Sequence, residues 1–243
     1  MQKSHFWNKC YLHWPKVILF LGLFLIASSG FSQGYKEVFN PNYDNKKFSY
    51  GFLIGLHKTG YKLKYSDKFV TNDLDTLHSI QPVQSPGFSL GFLVNYRLGE
   101  FFDLRITPKV AFYEYKIEYY YTSGLHVDQL KEATVVEFPI VFKYKSDRRG
   151  NSRMYVLAGL KPGFEASGKN DIASSRETLN INRLNFSADF GLGFDLYFPL
   201  FKFSPELRFS KGLANMLSTD PSIYNEGLAR LNTNTIHLYL LFQ

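Results

Sequence analysis

The chain has 243 residues, 45% of them hydrophobic, with 28 Lys and Arg against 21 Asp and Glu, a formal charge of +7 and one cysteine. That size and apolar content exclude a disordered tail protein and a disulfide-stapled miniprotein. Its 24 Phe and 17 Tyr, at a mean hydropathy of −0.19, mean that large rings are interleaved with polar residues, which suits strands with one apolar face.

Residues 1–32 read as an export signal. Lys3, Lys9 and Lys16 supply the positive start, and Val17 to Ala27 is an apolar stretch of eleven residues, short of the roughly 20 a spanning helix needs. Ser28, Ser29, Gly30 and Ser32 follow, placing cleavage near Ser32; an uncleaved N-terminal anchor is the alternative. Cys10 lies ahead of the apolar run and is not a lipidation site. Cys10, Trp7, Trp14 and three lysines leave with the signal, so the charge falls from +7 to +4. A balance that mild carries no nucleic-acid footprint, and a chain without cysteine must be stabilised by burial and backbone pairing. The expected organisation is a signal over 1–32, a short segment over 33–46 and a strand domain over 47–243.

Beyond the signal the dominant period is two. Phe48, Tyr50, Phe52, Ile54 and Leu56 alternate with Ser49, Gly51, Leu53, Gly55 and His57. The pattern repeats at Phe88 to Arg97, at Phe102 to Thr107, at Val136 to Lys143 and at Met154 to Lys161. It is clearest at Leu184 to Tyr197, and recurs at Phe201 to Phe209 and Thr235 to Phe242. Eight strands result. Their connections alternate. Gly99-Glu100, Lys145 to Ser152 and Pro199-Leu200 are short, whereas Lys58 to Pro86, Tyr120 to Ala133, Ala166 to Arg183 and Gly212 to Leu231 are long polar routes.

Long and short loops alternating in an even-stranded meander predict an all-β fold: an eight-stranded antiparallel up-and-down outer-membrane β-barrel, with short turns and both termini on the periplasmic side. Lipid leaves no backbone group unpaired, so the sheet must close. A soluble calyx with its apolar faces turned inward is the competing architecture. Gly51, Gly55, Gly91, Gly159, Gly163, Gly191 and Gly193 on the polar face favour a crowded interior, and hence the membrane barrel. Pro108, Pro139, Pro162 and Pro205 interrupt strand patterns and are expected at bulges or strand ends.

An eight-stranded barrel is just wide enough to be filled by its own side chains. The inward set comprises Asp103, Arg105, Lys109, Glu137, Lys143, Lys161, Asp189, Asp195, Glu206 and Arg208. Because unpaired charges are costly there, the set is expected to form a structural plug of mutual ion pairs, with a proton or ion path as the alternative. Lys145, Asp147, Arg148 and Arg149 fall in a predicted periplasmic turn, either solvated or a docking point for a partner. Of the four histidines after the signal, His57, His78, His126 and His237, none has metal-ligand spacing, and His126 with Asp128 in the second long loop is either a surface acid/base pair or, as is commoner for such a loop pair, simply solvated. Gly191-Leu192-Gly193 sits inside a strand and cannot open a helix over a phosphate. No catalytic residue, metal site, cofactor or small-molecule substrate is expected, and no nucleic-acid partner.

Several stretches resemble the PorT/SprT family of small outer-membrane barrels of the type IX secretion system. They are Phe48 to Gly55, Leu104 to Tyr119, Glu137 to Lys161 and Asp189 to Leu217. The more discriminating orders are FP-KY-S-R-N-Y-AG from Phe138 onward and FK-PE-FS-GL from Phe201 onward. The resemblance makes Pro139 and Pro205 retained bulge positions. It implies a non-enzymatic component needed to export proteins bearing a C-terminal signal, and to deliver adhesins in gliding cells. It also implies outer-membrane lipid and other type IX components as partners. A small barrel enzyme and a surface adhesin are the rival functions.

Overall fold

The computed structural model describes residues 38–69, 77–166, 181–218 and 227–243; the expected signal over 1–32 lies outside them. Eleven strand segments make eight staves. The first is β1 (Phe48–Tyr65), and the second is β2 (Leu77–Val83) continued by β3 (Ser85–Arg97). The third joins β4 (Phe102–Ile106) to β5 (Lys109–Tyr121), and the fourth β6 (His126–Glu137) to β7 (Ile140–Lys145). Then come β8 (Ser152–Glu165), β9 (Leu184–Tyr197), β10 (Lys202–Gly212) and β11 (Leu228–Phe242). Each stave pairs antiparallel with its chain neighbours, and β1 pairs with both β3 and β11, so the ring closes at eight.

The faces divide as the alternation requires. Phe92 is 71% exposed and its neighbour Leu93 1%. Phe52, Leu90, Phe142, Val156, Phe190, Leu192, Leu207 and Leu238 are exposed on the same outer wall. Such a wall of exposed rings and aliphatics is out of place in water and suited to hydrocarbon.

The staves are taller than a lipid crossing requires. β1 has 18 residues, about 60 Å at ~3.3 Å per residue. Tilted by roughly 40°, it rises to about 45 Å, against an apolar band of about 25 Å. The surplus lies at the far rim, opposite the chain termini, and there the polarity of the two faces inverts. On β5, Tyr113, Tyr115, Ile117 and Tyr119 point inward and are buried, while Glu114, Lys116 and Glu118 point outward. They pack with Tyr61, Ile80, Ala133, Val135, Leu228 and Leu231 in an apolar core. Above the lipid the wall faces water, so the ordinary rule of apolar inside and polar outside returns.

That inversion corrects the expected second long route. Tyr120 to Ala133 is not a loop: β5 runs to Tyr121, β6 starts at His126, and a turn over Thr122–Leu125 joins them. The first route is shortened too, since β1 continues to Tyr65 and β2 begins at Leu77.

Pro108 and Pro139 lie between strand segments, at strand ends as expected, and none of the four interrupting prolines is at a bulge. The breaks between β4 and β5, and between β6 and β7, fall at Thr107-Pro108 and Phe138-Pro139, and the register is the same on either side of each. Pro162 lies within β8, opposite Phe186. These prolines form a seam across adjacent staves. Phe92 N–H donates to the Pro108 carbonyl, Thr107 N–H to that of Pro139 and Phe138 N–H to that of Pro162, each at 3.0 Å. A proline lacks a donor and keeps its acceptor, so stacking the prolines in one line confines the lost ladder bonds to one level. Pro205 stays in register opposite Leu240.

Candidate functional site

The lumen is the part of the molecule that concentrates charge, and all ten of the inward charges read from the sequence are buried in it. They lie at three levels. Nearest the termini, Lys145 Nζ lies 2.6 Å from Asp103 Oδ1, and Asn95 Nδ2 donates to Asp103 Oδ2 at 3.0 Å. Beside them Lys143 Nζ donates to Asp195 Oδ2 at 2.6 Å, and Ser204 Oγ to Asp195 Oδ1 at 2.6 Å.

In the middle, Glu206 is the hub. It accepts from Arg105 Nη1 at 2.9 Å, from the Tyr155 hydroxyl at 2.9 Å and from Arg208. Arg208 reaches on to Asp189 at 3.3 Å, which also accepts from Ser210 Oγ at 2.7 Å. Higher still, Glu137 takes Lys109 at 2.8 Å, Lys161 at 3.0 Å and the Tyr113 hydroxyl at 2.8 Å. Lys109 also donates to the Tyr239 hydroxyl. Above this level the aromatic core of Tyr61, Tyr113, Tyr115 and Tyr119 fills the bore.

The alternation places these side chains. Asp103 and Arg105 are successive inward positions of β4, Asp189 and Asp195 share the inward face of β9, and Glu206 and Arg208 that of β10. Glycines opposite make room. A Cβ on Gly193 would stand 2.5 Å from the Tyr155 hydroxyl, and one on Gly91 2.4 Å from Lys109 Cβ. The bore therefore closes on large polar side chains because small positions face them.

Several members are absent from the sequence-derived set. Lys145 and Lys202 are buried in the same lumen, as are Tyr113, Tyr155 and Tyr239. The period could have found two of them, since Lys145 follows Lys143 by two residues and Lys202 precedes Ser204 by two. His57 and His237 face each other across β1 and β11 with ring centres 5.2 Å apart, both buried.

The cationic turn is not a free patch. Lys145 belongs to the lumen, and Arg148 is held by the segment that precedes β1. Its guanidinium donates to the Phe39 carbonyl and, at 3.2 Å, to that of Asn40; it stacks 3.7 Å from the Tyr197 ring and lies 3.6 Å from Asp44. Arg149 N–H pairs with the Ser152 carbonyl at 2.9 Å, leaving Asp147 exposed. Residues 38–47 thus lie across the mouth at the terminus end. Phe39 N–H donates to Asn151 Oδ1 at 2.9 Å, and the Tyr197 hydroxyl to Asp44 at 2.7 Å. The Tyr43 hydroxyl donates to Gln243 at 3.3 Å. Burial there pushes the Tyr43 phenol up to about 12.

His126 and Asp128 lie on β6 near the tip of the tall hairpin, 3.6 Å apart with His126 largely exposed. Asp128 is engaged instead by Lys116 at 2.8 Å, and Glu118 by Lys116 at 2.9 Å. Hydrogen bonds to Asp128 and Glu118 raise the Lys116 ammonium, and hydrogen bonds from Lys116 and Tyr120 hold Glu118 below its ordinary range. This is a solvated surface network of ion pairs and hydrogen bonds. Among the described residues no group of three or more His, Cys, Asp or Glu could hold a metal ion.

A closed eight-stave barrel with an apolar outer wall and a charged, filled bore defines an outer-membrane barrel protein. The family described as "Outer membrane protein beta-barrel domain" matches residues 31–218, and the chain belongs to it. No curated protein matches the sequence. Among solved structures, Neisserial surface protein A aligns at 11% identity and a TM-score of 0.43, over 81% of this chain and 98% of that one. OprG from Pseudomonas aeruginosa aligns at 12% and 0.40, over 86% and 95%. Ail, the attachment invasion locus protein of Yersinia pestis, aligns at 11% and 0.37, over 81% and 98%.

Proposed function

We propose that this outer-membrane barrel is a non-enzymatic subunit of a protein-export machine of the type IX class, working through its rims and outer wall rather than through its bore. The filled lumen carries the reading. Among the described residues, salt bridges at three levels, an aromatic core above them and a segment across the mouth below leave no conduit for a protein or a hydrated solute. The resemblance of Glu137 to Lys161 and Asp189 to Leu217 to the PorT/SprT family supports the export assignment. In this reading the termini and short turns are periplasmic, the far rim faces outward, and the partners are lipid and other secretion components.

Deleting the gene is expected to abolish secretion of cargo bearing C-terminal signals, while the purified barrel in planar bilayers shows no single-channel conductance. Large channels from the lone protein, or normal secretion in its absence, overturn the proposal. A surface-binding barrel is the second reading, favoured by Leu125 and Leu130 standing exposed on the tall β5–β6 hairpin, beyond the lipid band. Truncating that hairpin would then abolish adhesion and leave export of other proteins intact.

A further inference from the structure

The outer wall above the apolar band is not electrically uniform. On β1 the outward series runs Phe52, Ile54, Leu56 and then Lys58, Lys62 and Lys64, with Gly60 between them covered by Gln84, so lysine begins where the hydrocarbon-facing residues stop. The neighbouring staves continue the change. Lys62 pairs with Asn232 and Lys64 with Arg230 on β11, and Lys211 of β10 stands opposite Asn234. Lys58, Lys62, Lys64, Lys211 and Arg230 are all exposed. β1, β3 and β11 contain no acidic residue, and the single one in β10, Glu206, points into the lumen. The acids of the outer wall gather instead on β5 and β6, at Glu114, Glu118, Asp128 and Glu132.

Two features distinguish this sector from a solvated face. Lys64 and Arg230 are register partners, and like charges directly opposite each other on a sheet repel. Among the described residues, none of the four lysines has an ion-pair or hydrogen-bond partner, whereas Lys116 on the opposite side of the barrel has two carboxylates. The cations rise over about 20 Å of strand, from Lys58 to Lys64 at ~3.3 Å per residue. That range begins at the edge of the band and so matches the depth of lipid headgroups. A cluster at that height meets whatever anion the headgroups carry.

We propose that Lys58, Lys62, Lys64, Lys211 and Arg230 form a binding site on the outer wall for the phosphate groups of a phosphorylated glycolipid of the outer leaflet. The inference rests on the outward-facing far rim given above. Arg230 spends one N–H on the Leu213 carbonyl at 3.1 Å, which fixes the guanidinium beside β10 and leaves other donors for a phosphate oxygen. Asn232 is anchored likewise, to the Gly212 and Ala214 carbonyls at 3.2 and 2.8 Å, and serves as a spacer.

The test uses the full barrel in detergent, with native mass spectrometry counting retained lipid. Bisphosphorylated lipid A is expected to stay bound to the wild type, while the dephosphorylated form dissociates and inorganic phosphate at equal concentration does not compete. The Lys62→Gln/Lys64→Gln/Arg230→Gln variant is expected to lose retention at least tenfold. Glu114→Gln/Glu118→Gln/Glu132→Gln, on the opposite wall, is expected to retain lipid like the wild type. All the substituted side chains are outward-facing, so heat-modifiable migration should stay unchanged; Lys58→Gln/Lys211→Gln is the second variant if the triple does not fold. Equal retention by the cationic variants, indifference to lipid phosphorylation, or displacement by free phosphate overturns the site. Preference for phosphatidylglycerol over lipid A, lost in the same variants, would overturn the outward orientation and with it the glycolipid assignment, while leaving a phosphate-dependent wall.

Discussion

Arg105 Nη1 lies 2.9 Å from Glu206 Oε2, joining β4 to β10 across the bore, with both side chains fully buried. Glu206 also accepts from Arg208 and Tyr155, so one carboxylate is shared by two guanidinium groups, and Asp189 supplies the second negative charge through Arg208. Removing one partner of a buried pair costs about 3–5 kcal/mol because the other charge is stranded. Glu206→Ala should therefore lower stability by about that amount in urea unfolding from lipid vesicles. Glu206→Ala combined with Arg105→Leu should recover part of it. A loss below about 1 kcal/mol for the single variant would mean that the bore admits water.

The crowding of the lumen predicts a contrast between two glycines. A Cβ on Gly159 would stand 2.1 Å from the Ile140 carbonyl oxygen, whereas one on Gly99 meets nothing within 4 Å. Overpacking of this kind costs about 1–3 kcal/mol. Gly159→Ala should be destabilising in that range and Gly99→Ala close to neutral, read from the same unfolding midpoints.

The inversion of faces predicts opposite tolerances on one wall. Phe92 faces lipid, so Phe92→Lys should cost about 2–4 kcal/mol. Above the band the outward positions tolerate change, and Lys116→Thr should leave the unfolding midpoint close to that of the wild type. Ile117, its inward neighbour, is fully buried, so Ile117→Ala should cost about 2–5 kcal/mol. A Lys116→Thr cost comparable to that of Phe92→Lys would place the lipid boundary higher than the face pattern puts it.

Arg148 fastens the segment over the mouth through the Phe39 and Asn40 carbonyls and the Tyr197 ring. Arg148→Ala should release residues 38–47 and leave the barrel intact. Limited proteolysis is expected to cut ahead of Phe48 about tenfold faster, the change that about 1.4 kcal/mol of local opening produces. An unchanged cutting rate would show that the remaining contacts, chiefly Phe39 with Asn151, suffice.

The strand count and the closure are legible from residue alternation together with the alternation of long and short connections, and the identity of the wall faces from the glycines on the polar face, which fit a crowded interior. The ten lumen charges are legible from the residue alternation: each lies an even number of residues from another inward position of its strand. Lys145 obeys the same spacing but sits at a strand end, where a turn reading competes; Lys202 shares the inward face of Glu206 and Arg208 at the first residue of its strand. The His126 to Glu132 part of the tall β5–β6 hairpin reads as a loop in the sequence because its outward face carries His126, Asp128 and Glu132, which resemble loop residues when lipid is assumed on the outside.

The sequence by itself determined a closed eight-stave wall with an apolar exterior: the period of two set the faces, the connections set the count, and the glycines of the polar face put lipid on the other, where the backbone has no way to pair but by closing. Which charges meet was decided only by the tertiary structure. Arg105 finds Glu206, and Arg148 finds the Phe39 carbonyl, across 101 and 109 residues of chain. Such partners are chosen by register and by the curvature of the closed sheet. The same holds for the proline seam, whose members lie far apart in sequence and come into line because the staves stand side by side.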